Sequence, residues 1–167
     1  GGDVAIGLWK LGRRSGAALD VAGCDVNSVA LDHAAARADA VGANVRFFQH
    51  DVLNAALPDD FDVLTTTLFL HHLDESEAVR LLASMRESAR RTVLISDLIR
   101  SRLGYVLAWC GCRLLTRSYV VHTDGPLSVR AAYTLEEARG LADRAGMSDA
   151  TLTRHWPQRF VLQWNRP

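Results

Sequence analysis

The sequence has few cysteines, and they show no pattern that would hold a metal ion or a disulfide framework. Three occur in 167 residues, Cys24, Cys110 and Cys112, and none belongs to a CxxC pair. A zinc knuckle needs closely spaced pairs of ligands, and a disulfide scaffold needs an even set of cysteines. We therefore expect reduced thiols, no structural metal and a cytoplasmic protein.

An excess of charge of one sign is also missing. The chain has 19 Lys and Arg residues against 19 Asp and Glu residues. Without a net charge there is no global field to attract nucleic acid or an anionic membrane. We therefore expect no nucleic-acid partner, and a small neutral molecule as the binding partner.

Long hydrophobic runs are absent as well. The most apolar stretch, residues 103–115, is shorter than the roughly 20 residues that a membrane-spanning helix needs, and glycines and an arginine interrupt it. The first residues of the sequence do not show the charged and apolar pattern of a secretory signal. We expect no transmembrane segment, and we interpret residues 103–115 as a buried or capping helix.

What the sequence does contain is a regular alternation of strand and helix patterns. Hydrophobic residues make up 49% and charged residues 23%, which is typical of a globular protein of one domain over residues 1–167. The alternation predicts an α/β fold with a doubly wound, mostly parallel, Rossmann-like sheet. The predicted helices cover 3–14, 28–41 with Ser28 as N-cap, 74–90 capped by Asp74 or Ser76, and 135–145; the predicted strands cover 19–25, 45–51, 61–70 and 92–98, with an antiparallel hairpin over 150–156 and 160–164.

Ligands of such sheets bind beyond the carboxyl ends of the strands, so the strand ends are the first candidate sites. The glycine pair Gly1 and Gly2 precedes a helix, as at the end of a ligand-cradling turn. Asp25 ends the next strand at about the 20-residue spacing at which an acidic residue binds ribose hydroxyls. The alternative is that Asp25 only starts the following helix.

Asp51 closes the second predicted strand. Its carboxylate can accept a hydrogen bond from an exocyclic amino group while the Val52 N–H donates to a ring nitrogen, which is the pair that an adenine edge requires. The alternative interpretation is an Asx turn at the end of a strand.

The third predicted strand leads into two adjacent histidines. Thr66 and Thr67 offer hydroxyl and backbone contacts to a ligand, and His71 or His72 could face it. Neighbouring histidines point in different directions, and no Glu or Cys at helical spacing completes a coordination shell, so we expect no metal.

These segments, taken in order, resemble the class I S-adenosylmethionine (SAM)-dependent methyltransferases, in particular the branch that acts on small molecules. The resemblance rests on "GGD", "GCDVN", "QHDVL", "FDVLTTTLFLHHL", "RTVLISDLI" and the final hairpin. It implies SAM as cofactor and S-adenosylhomocysteine (SAH) as product. It also implies the cofactor contacts, which are a loop ending in Gly1 and Gly2, the ribose at Asp25 with Val26, the adenine at Asp51 and Val52, and the methionine side at Thr66, Thr67 and Leu68.

The first strand of that family precedes the glycine loop, and it should therefore lie before Gly1. We expect the natural chain to be longer, and the 167 residues alone to bind the cofactor poorly. An intact mass above 18.3 kDa for the natural protein would support this expectation.

Methyl transfer requires mainly that the acceptor be held in line with the methyl group, and an oxygen acceptor also needs a base. His72 is the first candidate for this base, and His122 is another. Residues 100–133 form a predicted lid over a hydrophobic, aromatic or polyketide-like acceptor, with Tyr105, Trp109 and His122 as contacts. The alternative is an extra helix on the sheet or in a dimer interface.

Two other functions stay open at this stage. An NAD(P)-dependent oxidoreductase would also place an acid at Asp25, although Asp51 and the closing hairpin argue against it. A non-catalytic relative would keep the fold as a binding scaffold. The sequence leaves the oligomeric state open, with a homodimer among the options.

Overall fold

A computed structural model describes residues 1–167, which form two compact units, Gly1–Ala56 and Leu57–Pro167. The prediction of one domain over the whole chain stays a prediction. The first unit contains α1 (Asp3–Ser15), β1 (Val21–Asp25), α2 (Ser28–Ala40) and β2 (Val45–Gln49). The second contains β3 (Val63–Thr67), a 3₁₀ turn (Leu70–His72), α3 (Glu75–Ser88), β4 (Thr92–Leu98), α4 (Arg102–Leu115), α5 (Tyr119–Ala131), α6 (Leu135–Arg144), β5 (Thr151–His155) and β6 (Arg159–Asn165).

In the first unit, β1 and β2 form a parallel pair in which Asp25 lies opposite Gln49. The core of this unit is a cluster of Ile6, Ala38 and Ala43, which buries apolar surface of both helices, and Phe47 of β2 packs against it. Because the two strands are parallel, their carboxyl ends lie at the same edge.

The N-terminus of α2 differs from the prediction by one residue. Asn27, not Ser28, is the N-cap, and its Oδ1 accepts hydrogen bonds from the N–H groups of Val29 (2.9 Å) and Ala30 (3.3 Å). An asparagine oxygen satisfies the free N–H groups of a first turn as well as a serine does, so the sequence allowed either residue.

The second unit contains a four-stranded sheet in the order β3-β4-β6-β5. The pair β3 and β4 is parallel, whereas β6 pairs antiparallel with both β4 and β5. Along β4, Val93, Ile95 and Asp97 alternate inward and are buried. The predicted α/β class and the C-terminal hairpin are confirmed.

Four strands have an edge without a strand partner, since β1 and β2 pair only with each other, β3 pairs only with β4, and β5 pairs only with β6. The strand expected before Gly1 stays a prediction. The third strand is also shorter than the predicted 61–70. It ends at Thr67 because Leu68 adopts φ 55°, a left-handed conformation that cannot continue a strand.

Residues 100–133 contain two helices rather than one, and α4 and α5 pack on each other. Residues 103–115 were expected to form a buried or capping helix; they do form a helix, as part of α4, but it is not a buried one, because Gly104 is its one buried residue. The second helix was not predicted, since Gly125 and Pro126 are usually helix breakers. None of the helices in residues 1–167 is long and apolar enough to cross a membrane.

Helix α3 begins with a capping box, as the sequence allowed. The Asp74 carboxylate accepts a hydrogen bond from Glu77 N (2.8 Å), and the Glu77 carboxylate accepts one from Asp74 N (3.1 Å). Asp74→Ala is expected to lower the free energy of unfolding in urea by about 1 kcal/mol. Asp60→Ala is the control, because Asp60 is exposed and makes no hydrogen bond; an equal loss in both variants would contradict the assigned cap.

Candidate active site

Asp25 lies at the carboxyl end of β1 with its side chain exposed. Its Oδ1 accepts a hydrogen bond from Asn27 N (2.9 Å), so it does start the turn into α2. The second carboxylate oxygen, Oδ2, has no partner within the chain. One carboxylate therefore both shapes the turn and keeps an oxygen available for a ligand.

Asp51 follows β2 and is more fully engaged. Its Oδ1 accepts from the N–H groups of Leu53 (3.0 Å) and Asn54 (3.2 Å), and its Oδ2 accepts from Asn54 Nδ2 (2.8 Å). The Asn54 side chain, followed by the Leu53 N–H, holds the pKa of Asp51 below its ordinary value. The Asx turn that the sequence analysis gave as the alternative is therefore formed. The Asp51 carboxylate is charged at neutral pH.

Backbone and side-chain hydrogen bonds hold the ends of β1 and β2 together. The N–H of His50 donates to the Asp25 carbonyl (3.0 Å), and Gln49 Nε2 donates to the Val26 carbonyl (2.9 Å). The N–H of Val52, which the sequence analysis assigned to adenine, makes no hydrogen bond within the chain. Asp25 and Asp51 therefore follow two neighbouring, connected strand ends of one compact unit.

One buried polar atom at this edge also lacks a partner. His50 Nε2 is buried without a hydrogen bond in the chain. Buried polar atoms are nearly always paired, so an unpaired one is consistent with a polar ligand or water at this position.

Gly2 is required by both conformation and packing. It precedes α1 with φ 78°, and an added Cβ would lie 3.0 Å from Ala34 Cβ and 3.2 Å from Phe47 Cζ. The carbonyl of Gly1 accepts from Arg37 (3.0 Å), and Arg37 also pairs with Asp3 (2.7 Å). The glycine pair is thus fixed against α2.

In the second unit, the end of β3 has an unusual backbone. Leu68 has φ 55° and is 41% exposed, while its N–H donates to the Ser96 carbonyl (2.9 Å). Thr66 and Thr67 precede it and are half-buried. A left-handed conformation in a non-glycine residue costs free energy, and such strain concentrates at functional sites.

Asp97 of β4 was not identified from the sequence, although it is the most connected side chain in this part of the unit. It is 1% exposed. Its Oδ2 accepts from Leu70 N (2.7 Å) and Phe69 N (3.0 Å), and its Oδ1 lies 2.6 Å from both Leu98 N and His71 Nδ1.

The surroundings of Asp97 act on its acidity in opposite directions. Burial alone would raise its pKa, but the hydrogen bond from His71 and those from Leu98 and Leu70 outweigh this effect and lower the pKa. The available signal in the sequence was the inward alternation of Val93, Ile95 and Asp97, which places a carboxylate in the core.

The three candidate histidines have different environments. His71 is 7% exposed and pairs with Asp97, whereas His72 is exposed and its side chain makes no hydrogen bond. Their ring centroids lie 4.1 Å apart. His122 on α5 is half-buried, and its Nε2 lies 2.8 Å from the Thr116 carbonyl. No group of three or more His, Cys, Asp or Glu residues in the chain is arranged to hold a metal ion.

Two of the three predicted acceptor contacts, Tyr105 and Trp109, lie on α4, whose apolar side chains are largely exposed. Tyr105 is 38% and Trp109 is 45% exposed, and the Arg113 guanidinium lies 4.0 Å from the centroid of the Trp109 ring. Leu114, Leu115 and Tyr119 are each more than 80% exposed. The hairpin of α4 and α5 therefore carries several exposed apolar side chains close together along the chain, rather than single scattered ones.

Comparisons with protein families and solved structures identify proteins that are similar to this chain. Residues 2–92 match the family model described as "Methyltransferase domain". No curated protein matches the chain. Among solved structures, the apo form of the S-adenosylmethionine-dependent methyltransferase SibL is 18% identical with a TM-score of 0.72, and the match covers 100% of this chain and 49% of that chain.

Two further solved structures are similar. The magnesium protoporphyrin IX methyltransferase ChlM of Synechocystis PCC 6803 with bound SAH is 20% identical over 98% of this chain and 69% of that chain, with a TM-score of 0.66. The pyocyanin biosynthetic protein PhzM is 20% identical over 89% of this chain and 43% of that chain, with a TM-score of 0.63.

The chain thus spans about half the length of SibL and less than half that of PhzM. At these identities the structural similarity establishes the fold alone. The family model, however, matches more than half of the chain, and this match confirms the class I resemblance. The chain therefore belongs to the methyltransferase domain family.

Proposed function

We propose that the protein transfers a methyl group from SAM to a small, hydrophobic or aromatic molecule and releases SAH. The observation that carries this proposal is the placement of Asp25 and Asp51 after two neighbouring parallel strands of one compact unit. Family membership supports it, and so does the structure of ChlM, which contains SAH.

The chain's own polar groups fit an adenosine. Asp25 keeps one carboxylate oxygen free, and a vicinal diol would donate to it. The Val52 N–H is free to donate to a ring nitrogen, and Asp51 is charged and able to accept from an exocyclic amine. Gly1, Gly2 and Val26 complete the proposed contacts in this unit. In the second unit, the resemblance assigns the methionine side to Thr66, Thr67 and Leu68, and this assignment stays a prediction.

When bound, SAM supplies an electrophilic methyl group on a positively charged sulfur. The protein has to orient the acceptor and exclude water. For an oxygen acceptor it also has to take up a proton, and we propose His72 as the base. The His72 side chain is exposed and makes no hydrogen bond, whereas the imidazole of the other candidate, His122, contacts the Thr116 carbonyl.

The hairpin of α4 and α5 is the proposed acceptor lid, within residues 100–133. Its exposed Tyr105 and Trp109 offer flat apolar surface, which suits a hydrophobic or aromatic molecule. His122 would supply a polar contact on α5. The alternative of a dimer interface fits the same exposure, and its test is the oligomeric state at increasing concentration.

Trp109→Ala is expected to reduce methylation of an aromatic acceptor about tenfold or more while SAH affinity changes less than twofold. The ring contacts the Arg113 side chain of its own helix and is half-exposed, so folding depends little on it. Initial rates with a panel of phenolic acceptors and SAH calorimetry measure the two effects. Trp156→Ala is the control, because Trp156 is 80% exposed in the turn between β5 and β6, outside the proposed lid, and neither quantity should change. Equal losses of turnover and SAH affinity in Trp109→Ala would indicate a folding role instead.

Calorimetric titration of the complete protein with SAH and with NAD⁺ tests the proposed function. We expect binding of SAH and none of NAD⁺. Binding of NAD⁺ alone would indicate the oxidoreductase, and binding of neither would indicate a non-catalytic scaffold. The three free cysteines fit the reducing environment of the cytoplasm, where we propose that the protein acts.

A further inference from the structure

Asp97 connects two features of the second unit that the proposed function needs. One is the left-handed turn at the end of β3, and the other is the histidine pair that follows it. Since Asp97 lies 26 to 28 residues from Phe69, Leu70 and His71 along the chain, its contacts with them are tertiary contacts rather than a local turn.

The first feature depends on Asp97 Oδ2. This single oxygen accepts from Phe69 N (3.0 Å) and Leu70 N (2.7 Å), and His71 N lies 3.4 Å away. Successive N–H groups that converge on one anion stabilise a tight backbone turn. The bonds offset the cost of the left-handed Leu68, which comes directly before Phe69.

The second feature depends on Asp97 Oδ1, which lies 2.6 Å from His71 Nδ1. An ionised carboxylate can only accept hydrogen bonds, so Nδ1 must carry the proton. In the neutral imidazole the lone pair is then on Nε2, as in other His–Asp pairs. His71 Nε2 makes no hydrogen bond within the chain, although the residue is 7% exposed.

We propose that Asp97 is a positioning residue: with one carboxylate it fixes the turn 68–71 and orients His71, whose Nε2 accepts a hydrogen bond from the methyl acceptor. The assignment rests on the proposed function for the identity of the ligand. Asp97 itself touches no ligand. Because the His72 ring lies against that of His71, the same carboxylate also sets the position of the proposed base.

The test begins without any ligand. In the complete protein labelled with ¹⁵N, long-range proton–nitrogen spectra report which imidazole nitrogen of neutral His71 carries the proton. We expect Nδ1 to be protonated and Nε2 to be bare. In Asp97→Asn the neutral amide no longer requires a donor at Nδ1, so we expect the Nε2-protonated form to appear. A proton on Nε2 in the unmodified protein would overturn the proposal, and so would an unchanged His71 spectrum in Asp97→Asn.

The second arm measures SAH affinity by calorimetry. Asp97→Asn is expected to raise the dissociation constant for SAH about tenfold, because the turn 68–71, which includes the proposed contact Leu68, is displaced. Ile95→Ala is the matched control, because Ile95 is fully buried two residues earlier on β4, so its truncation lowers stability, while its side chain makes no hydrogen bond to the turn. An equal loss of affinity in Ile95→Ala would show a merely structural role and overturn the proposal.

The two arms separate the possible failures. If the unmodified protein binds no SAH, the proposed function fails while the His71 tautomer still tests the positioning by Asp97. If Asp97→Asn does not fold, the tautomer in the unmodified protein decides the proposal alone.

Discussion

Asp25→Ala is expected to weaken SAH binding to the complete protein by about 100-fold or more. The substitution removes a carboxylate that would accept two hydrogen bonds from the ribose hydroxyls, and bonds to charged groups contribute about 1.5–3 kcal/mol each. In the chain the side chain accepts one hydrogen bond, from the N–H of Asn27, and it is exposed. Folding should therefore be little affected, with a change in unfolding free energy of about 1 kcal/mol or less.

Two variants control this measurement. Asp20→Ala removes the same charge from an exposed position just before β1 and should bind SAH as the unmodified protein does. Asp25→Asn keeps an acceptor oxygen for the Asn27 N–H and should lie between the other two. Full SAH affinity in Asp25→Ala would contradict the assigned ribose contact, and an equal loss in Asp20→Ala would reduce it to an effect of net charge.

Asp97→Ala is expected to lower the free energy of unfolding by about 3–5 kcal/mol, the largest effect on stability that we predict. The substitution leaves the N–H groups of Phe69, Leu70 and Leu98 and the Nδ1 of His71 without their acceptor in a buried site. Unfolding in urea, followed by circular dichroism, measures the change. A loss below about 1 kcal/mol would mean that water replaces the carboxylate and that the site is not closed.

The same carboxylate predicts a dependence of stability on acid. The pKa of Asp97 lies below its ordinary value of 3.8 in the folded protein, so folding favours the ionised form. Its contribution is therefore complete above about pH 4 and is lost as the pH falls through the lowered folded value. In a urea series at decreasing pH, the difference in stability between the unmodified protein and Asp97→Ala should shrink below pH 4. A difference that stays constant to lower pH would contradict this account.

The parts of the fold that could be predicted are those governed by local patterns. The hairpin of β5 and β6 follows from two short apolar runs with a turn between them. All seven residues of β4 follow from one apolar run with clear ends. The positions of Asp25 and Asp51 at the carboxyl ends of two parallel strands could also be predicted, whereas their roles in ligand binding stay predictions. The Asp74 cap also follows from neighbouring residues.

What could not be predicted depends on distant contacts. Asp97 has the local pattern of a core strand residue, and its role appears only when the chain folds the turn 68–71 onto it. The end of β3 depends on the left-handed Leu68, which that same carboxylate helps to stabilise. Helix α5 forms around Pro126 because α4 packs against it, which local propensity opposes.

The most direct test of the central claim is a crystal structure of the complete protein with SAH bound. We predict that the ribose hydroxyls lie within hydrogen-bond distance of the Asp25 carboxylate, and that the adenine amino group and a ring nitrogen lie within the same distance of Asp51 and the Val52 N–H. A nucleoside bound elsewhere, or Asp25 and Asp51 both without contact to it, would contradict the account.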